Sequence, residues 1–143
     1  MDKEASGFNT KQTVAIVGLG LIGGSYARGL RRLGVDHIIA VDPDEKALQQ
    51  AKQEGMVDDI YTAGTEALKQ ADLVIFCTAA DVMIRFLAEN KAFFTPGTIL
   101  TDVAGIKGDT ATAIAALLPE GVDFVPGHPM AGREGRGYAM ASA

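Results

Sequence analysis

The sequence predicts an α/β domain built on a doubly wound, mostly parallel β-sheet. Short runs of β-branched and aliphatic residues recur along the 143-residue chain, and segments of helical period separate them. With 48% hydrophobic residues, the chain has enough apolar surface for one core of ordinary size. We therefore expect a flexible polar arm over residues 1–12, followed by a single domain over residues 13–143.

The elements follow from local patterns, beginning with the continuous apolar run Thr13–Val17, which suits a strand buried on both faces. Apolar residues at helical spacing over Leu21–Leu33 predict the first helix, which ends in a cationic turn followed by Gly34. Asp44 is expected to cap the second helix. The other predicted elements are strand Ile38–Val41, a second helix ending near Glu54, a short strand near Ile60–Thr62, helical turns at Thr65–Gln70, strand Asp72–Cys77, helix Asp81–Phe94, strand Thr98–Asp102, helix Gly108–Leu118 and strand Asp123–Val125.

Charge and composition exclude several classes of function. A net charge of −5 leaves no basic surface of the kind that binds nucleic acid or anionic membranes. Cys77 is the only cysteine, so the chain can form neither an internal disulfide nor a cysteine-rich zinc site, and we expect an inert buried thiol there. The first residues are polar and lack the apolar core of a signal peptide, and no apolar run approaches the roughly 18–20 residues of a membrane span, so we expect a cytoplasmic protein. We also expect no metal site.

A glycine motif lies between the first strand and the first helix. Gly18, Gly20 and Gly23 form a complete G-x-G-x-x-G, in the strand–turn–helix context that this motif requires. The first glycine permits a tight turn, the second lets a pyrophosphate approach the backbone, and the third lets the helix pack closely on the strand. The anion is expected on the free N–H groups of the helix N-terminus, near Leu21 and Ile22.

Asp42 completes a dinucleotide-binding pattern. It ends the second predicted strand about 20 residues past the motif, where a carboxylate accepts hydrogen bonds from the adenosine ribose and repels a 2′-phosphate. Pro43 follows it rather than an arginine, so NAD is favoured over NADP as the cofactor. The alternative is a glycine turn that only packs a helix and an aspartate that only caps the next one. The agreement of spacing, context and acid favours cofactor binding.

Two histidines are candidates for the base that hydride transfer from an alcohol requires. His37 precedes the second strand, so we expect it at the surface and away from the site. His128 follows the last predicted strand, at the edge where doubly wound sheets bind ligands. A loop histidine before a proline is more often structural than catalytic, so the residues alone leave its role open.

Four segments, GLGLIGGSYARGL, VDPD, TDVAGIK and GHPMAGREGRG, resemble those of the prephenate dehydrogenase family, and the resemblance covers Thr13–Ala143. It implies a Rossmann-like domain and an NAD-dependent oxidative decarboxylation of prephenate to 4-hydroxyphenylpyruvate, a step of tyrosine biosynthesis. It also implies that His128 bonds the ring hydroxyl of prephenate and assists its deprotonation. Thr78 and Ala79, which follow the fourth strand, are expected beside the cofactor.

The same resemblance implies substrate-site roles for three further charged residues. Glu134 corresponds to a glutamate implicated in gating the substrate site, with a solvated loop charge as the alternative. Lys107 and Arg133 are candidates to pair with the carboxylates of prephenate, although a structural role for Lys107 stays equally open. The chain departs from the family at Gly105, where members often have a serine, and at Ala79, where a proline is common.

Members of that family carry a second, all-helical domain that dimerises and supplies part of the substrate site. We therefore expect this chain to be the nucleotide-binding half, with the C-terminal helical domain missing and the full-length form a homodimer through it. The expected partner is a small molecule, prephenate or arogenate, and neither nucleic acid nor a membrane.

Three alternative functions remain. An arogenate dehydrogenase shares these motifs and differs in handling an amino group. A dehydrogenase of the 3-hydroxyisobutyrate type is disfavoured by GHPMAG. A dinucleotide-binding module without turnover is the non-enzymatic alternative.

Overall fold

The computed structural model describes residues 10–103, 105 and 108–127. Its strands are β1 (Thr13–Val17), β2 (His37–Val41), β3 (Asp59–Tyr61), β4 (Leu73–Phe76), β5 (Ile99–Asp102) and β6 (Asp123–Val125). Its α-helices are α1 (Leu21–Leu33), α2 (Glu45–Gln53), α3 (Ala80–Asn90) and α4 (Gly108–Leu117), and 3₁₀ helices cover Glu66–Gln70 and Lys91–Phe93. None of the helices in these ranges is long and apolar enough to cross a membrane.

The six strands form one sheet in the order β3-β2-β1-β4-β5-β6, and every pair is parallel. The predicted doubly wound sheet is therefore confirmed. The strand order reverses between β1 and β4, and connections to the two sides leave from this point. In such sheets a crevice opens at the carboxyl ends of the two strands, and ligands bind there.

The central strand contributes to two hydrophobic cores, one on each face of the sheet. Val14 and Ile16 of β1 pack with Leu48 of α2 in one core, whereas Ala15 and Val17 belong to the other. This double burial explains why β1 is a continuous apolar run rather than an alternating one.

Predicted and observed element boundaries agree within one residue, with one exception. The segment predicted as one helix over Asp81–Phe94 divides into α3 and a 3₁₀ helix. The reason is local: Asn90 leaves helical geometry at φ −123°, and its side-chain amide donates to the carbonyl of Phe86 at 3.0 Å. The α-helix stops at this residue, and the side-chain bond to Phe86 accompanies the change in backbone geometry.

Arg31, in the cationic last turn of α1, ties that helix to the end of the sheet. Its Nη2 lies 2.9 Å from Oδ2 of Asp58, which also accepts the backbone N–H of Ile38 at 2.8 Å. Burial opposes the charged carboxylate, but the bonds from Ile38 and Arg31 outweigh it and lower the pKa of Asp58.

Replacing Asp58 by asparagine is expected to lower the free energy of unfolding by about 1 kcal/mol near neutral pH, because one charge-assisted pair at a partly exposed site is lost. The folded-state pKa lies below the unfolded value of about 4, so the carboxylate stabilises fully above that value and loses its effect as the pH falls through the folded pKa. Denaturant unfolding at neutral and at strongly acidic pH measures this. Glu66→Gln, at an exposed pair with Lys69, is the control with little expected change, and an equal Asp58→Asn deficit at both pH values would contradict the assignment.

Candidate functional site

Gly18 lies where the strand order reverses. Its N–H donates to the carbonyl of Val41 at 2.8 Å, and a Cβ at Gly18 would lie 2.6 Å from the carbonyl oxygen of Cys77. Its φ of +96° is also a conformation that favours glycine. The first glycine of the motif is therefore held between the ends of β2 and β4, and no side chain fits there.

The other two glycines of the motif differ in what surrounds them. A Cβ at Gly23 would collide with the carbonyl oxygen of Gly18, so this glycine allows α1 to pack against its own loop. A Cβ at Gly20 would meet no protein atom within 4 Å. Gly23 is thus needed for packing, whereas the space beside Gly20 is open to a ligand.

The N-terminus of α1 opens into the same space. Gly20 is its N-cap, no side chain accepts a hydrogen bond there among the described residues, and the first turn contains no acid. Leu21 and Ile22 are exposed, at 64% and 49%. The first-turn N–H groups and the positive end of the helix dipole are therefore directed at a position suited to an anion.

Asp42 is fixed directly beside this loop. Its Oδ2 accepts the N–H of Leu19 at 2.7 Å, and its Oδ1 accepts the N–H of Asp44 at 2.8 Å. Each carboxylate oxygen retains a second lone pair. The carboxylate is therefore oriented before a ligand arrives, and it can still accept hydrogen bonds from neighbouring hydroxyls.

The loop after β4 completes the edge. The Thr78 methyl group and the Cys77 carbonyl are the atoms nearest the space that a Gly18 side chain would fill. Thr78 Oγ1 donates to the carbonyl of Ala79 at 3.1 Å, and Ala79 is the exposed N-cap of α3. The structure thus brings together the motif glycines, Asp42, Thr78 and Ala79 at the carboxyl edge of the sheet.

The family model described as "Prephenate dehydrogenase, nucleotide-binding domain" matches residues 26–143. The chain belongs to this family. The match begins after the glycine loop, so the geometry of that loop is an independent observation.

Among solved structures, the chain is similar to prephenate dehydrogenase of A. aeolicus in complex with hydroxyphenyl propionate and NAD+, at TM-score 0.76 and 28% identity, over 90% of this chain and 45% of that one. It is also similar to Synechocystis arogenate dehydrogenase, at TM-score 0.74 and 30% identity, over 92% and 45%.

The chain is also similar to two curated dehydrogenases. The Bacillus subtilis prephenate dehydrogenase is 33% identical over 92% of this chain and 36% of its own length. The Zymomonas mobilis cyclohexadienyl dehydrogenase is 30% identical over 87% of this chain and 42% of its own length. The chain thus spans less than half of these relatives. The predicted family and the Rossmann-like fold are both confirmed.

Gly105 stands where the sequence resemblance implies a serine in many family members. The backbone φ of Gly105 is +76°, which would strain a serine, so this loop is built around a glycine and lacks that hydroxyl. The predicted site residues Lys107, His128, Arg133 and Glu134 lie outside the described residues.

His37 lies at the start of β2, at the edge of the sheet opposite the glycine loop. Its Nε2 is 2.7 Å from Oδ2 of Asp59, and its Nδ1 is 3.3 Å from Oγ1 of Thr13. His37 therefore lies at the opposite end of β2 from the glycine loop. Its side chain is only 31% exposed, however, because strand pairing places it between two hydrogen-bonding neighbours.

The backbone of Cys77 lies beside Gly18, and its side chain packs, partly buried, against the core that contains Val14 and Ile16. Burial, together with the negative charge of Asp102, raises the pKa of Cys77 to about 12, so the thiol stays protonated at neutral pH. This agrees with the expectation of an inert thiol, since the thiolate is the reactive form.

A cavity of about 270 Å³ lies between α1 and α2. Leu19, Gly20 and Leu21 of the glycine loop line it, whereas Asp42 and Thr78 do not. Within the described ranges no three His, Cys, Asp or Glu side chains are grouped to hold a metal ion.

Proposed function

We propose that the chain binds NAD and forms the cofactor-binding part of an enzyme that converts prephenate to 4-hydroxyphenylpyruvate by oxidative decarboxylation. The observation that carries this proposal is the open space beside Gly20, at the bare N-terminus of α1 and next to the fixed Asp42 carboxylate. Membership of the prephenate dehydrogenase family supports it, and so does the similarity to a structure in complex with NAD+.

The described residues fit a dinucleotide in three respects. The first-turn N–H groups at Leu21 and Ile22 suit the diphosphate. The Asp42 oxygens suit the adenosine ribose hydroxyls and oppose a 2′-phosphate. Thr78 and Ala79 border the side of the crevice that leads towards β5.

Bound NAD⁺ would supply the hydride acceptor. His128 would accept the proton of the ring hydroxyl as hydride leaves the ring carbon, and the resulting dienone would lose carbon dioxide. Aromatisation drives that loss, so the protein needs to position and polarise the substrate rather than to stabilise a carbanion. Lys107 and Arg133 would pair with the substrate carboxylates, and Glu134 would lie at the substrate entrance.

Arogenate is the second candidate substrate, favoured by the similarity to Synechocystis arogenate dehydrogenase. The test is to assay the protein that carries this chain for reduction of NAD⁺ and of NADP⁺, with prephenate and with arogenate. We expect turnover with NAD⁺ and prephenate. Faster turnover with arogenate would reassign the substrate, and NAD binding without any turnover would favour a binding module.

Replacing Asp42 by asparagine is expected to weaken NAD binding about tenfold and to reduce the preference for NAD over NADP, because the hydrogen bonds to a charged acceptor are lost together with the repulsion of a 2′-phosphate. Calorimetric titration with both dinucleotides measures this. Asp44→Asn is the matched control, since Asp44 caps α2 through Lys46 and Ala47 and asparagine caps equally well. An unchanged NAD/NADP ratio in Asp42→Asn would remove Asp42 from the ribose site.

A further inference from the structure

Asp102, the last residue of β5, is a buried carboxylate whose role the cofactor site does not explain. It is 1% exposed, and no other Asp, Glu, Lys or Arg in the described part of the chain is fully buried. Burying a charged carboxylate is strongly unfavourable unless hydrogen bonds compensate for the lost hydration. Its bonding partners therefore indicate what it does.

The two oxygens of Asp102 hold two different loops. Oδ2 accepts the backbone N–H of Gly105 at 3.1 Å, in the loop after β5. Oδ1 accepts the backbone N–H of Gly127 at 3.2 Å, in the segment after β6. These are charge-assisted bonds to main-chain atoms, so they fix the path of the backbone rather than one side chain.

The same junction is closed by contacts that leave no room for a side chain. Thr101 Oγ1 donates to the carbonyl of Val125 at 2.7 Å. A Cβ at Gly127 would collide with the carbonyl oxygen of Asp102 and would lie 3.1 Å from Thr101 Oγ1. The end of β5 and the segment after β6 are therefore held tightly together.

We propose that Asp102 is a positioning residue that fixes the loops after β5 and β6 at the cofactor edge and so places the two residues assigned to substrate chemistry. The inference rests on the proposed function, in which Lys107 and His128 act on the substrate. Lys107 lies two residues beyond Gly105, and His128 is bonded directly to Gly127. Strand pairing sets Asp102 opposite Phe76, the last residue of β4, so Asp102 lies at the same carboxyl edge of the sheet as the glycine loop.

Asp102→Asn tests this, because asparagine keeps the size of the side chain but offers one acceptor oxygen and places an NH₂ group against a backbone donor. We expect amide hydrogen exchange at Gly105 or Gly127, followed by NMR in the protein that carries this chain, to become at least about tenfold faster. We also expect kcat to fall about 10- to 100-fold while the NAD dissociation constant changes less than about twofold. Gly127→Ala disturbs the same junction without changing charge, so it should also lower kcat and leave the NAD dissociation constant nearly unchanged. The effects of the two substitutions on kcat should be less than additive when they are combined.

Thr98→Val is the matched control. Thr98 is buried next to the opposite end of β5, where its Oγ1 donates to the carbonyl of Ala71 at 3.2 Å. Its loss should lower stability and leave kcat unchanged. Unchanged amide exchange at both glycines in Asp102→Asn would show that Asp102 does not fix the two loops. Faster exchange with an unchanged kcat would overturn the positioning role. Because exchange needs no substrate, an inactive wild-type protein would refute the proposed function separately.

Discussion

Replacing His128 by alanine is expected to lower the turnover of prephenate about 100-fold or more, while the affinity for NAD stays nearly constant. The imidazole is assigned to accept the ring hydroxyl proton as hydride leaves, and general base catalysis of this kind usually contributes two orders of magnitude or more. Steady-state kinetics give kcat, and calorimetry gives the dissociation constant of NAD. A lowered kcat with unchanged NAD binding separates a base from a cofactor ligand.

His37→Ala is the control for this prediction. The two histidines are the only ones in the chain, and His37 lies at the opposite edge of the sheet, bonded to Asp59 and Thr13. Its loss should lower stability without affecting kcat. Full turnover in His128→Ala would remove His128 from the proton transfer.

Replacing Gly20 by alanine is expected to weaken NAD binding at least tenfold, equivalent to about 1.4 kcal/mol, and to lower the melting temperature only slightly, because alanine is a poorer N-cap than glycine. A Cβ here meets no protein atom within 4 Å, so the fold has room for it, but the methyl group would occupy the space through which the diphosphate approaches α1. Calorimetry and thermal unfolding of the same preparations measure the two effects separately.

Gly24→Ala is the matched control, because Gly24 lies one turn further along α1 and a Cβ there also meets no atom within 4 Å. It should leave NAD binding unchanged and stabilise the helix by about 0.5–1 kcal/mol. Gly23→Ala would be uninformative, since its collision with Gly18 would disturb the fold itself. Equal NAD affinities in Gly20→Ala and Gly24→Ala would contradict the assigned diphosphate position.

The parts of the fold that depend on local chemistry could be predicted from the sequence. Gly34 ends α1 at φ +92°, and Asp44 caps α2 by accepting the N–H groups of Lys46 and Ala47, as their residue types indicate. The two-faced burial of β1 follows from its continuous apolar run. The end of α3 at Asn90 could not be predicted, because no glycine or proline stands next to it in the sequence.

The candidate site divides in the same way. The glycine motif and Asp42 could be predicted, because their spacing along the sequence is typical of dinucleotide-binding sites. The sequence predicts Asp102 only as the end of a strand. Its carboxylate accepts backbone N–H groups, one of them 25 residues away, and because every residue except proline has a backbone N–H, the residue types do not indicate these bonds. A buried acid at the end of an apolar strand was the one available signal.

Calorimetric titration of the chain with NAD⁺ and, separately, NADP⁺ tests the central claim most directly. We expect saturable heat with NAD⁺, at least about tenfold weaker binding of NADP⁺ because of the Asp42 carboxylate, and a rise in melting temperature when NAD⁺ is saturating. No heat and no thermal shift with either dinucleotide would contradict the assignment of the glycine loop and Asp42 to a cofactor.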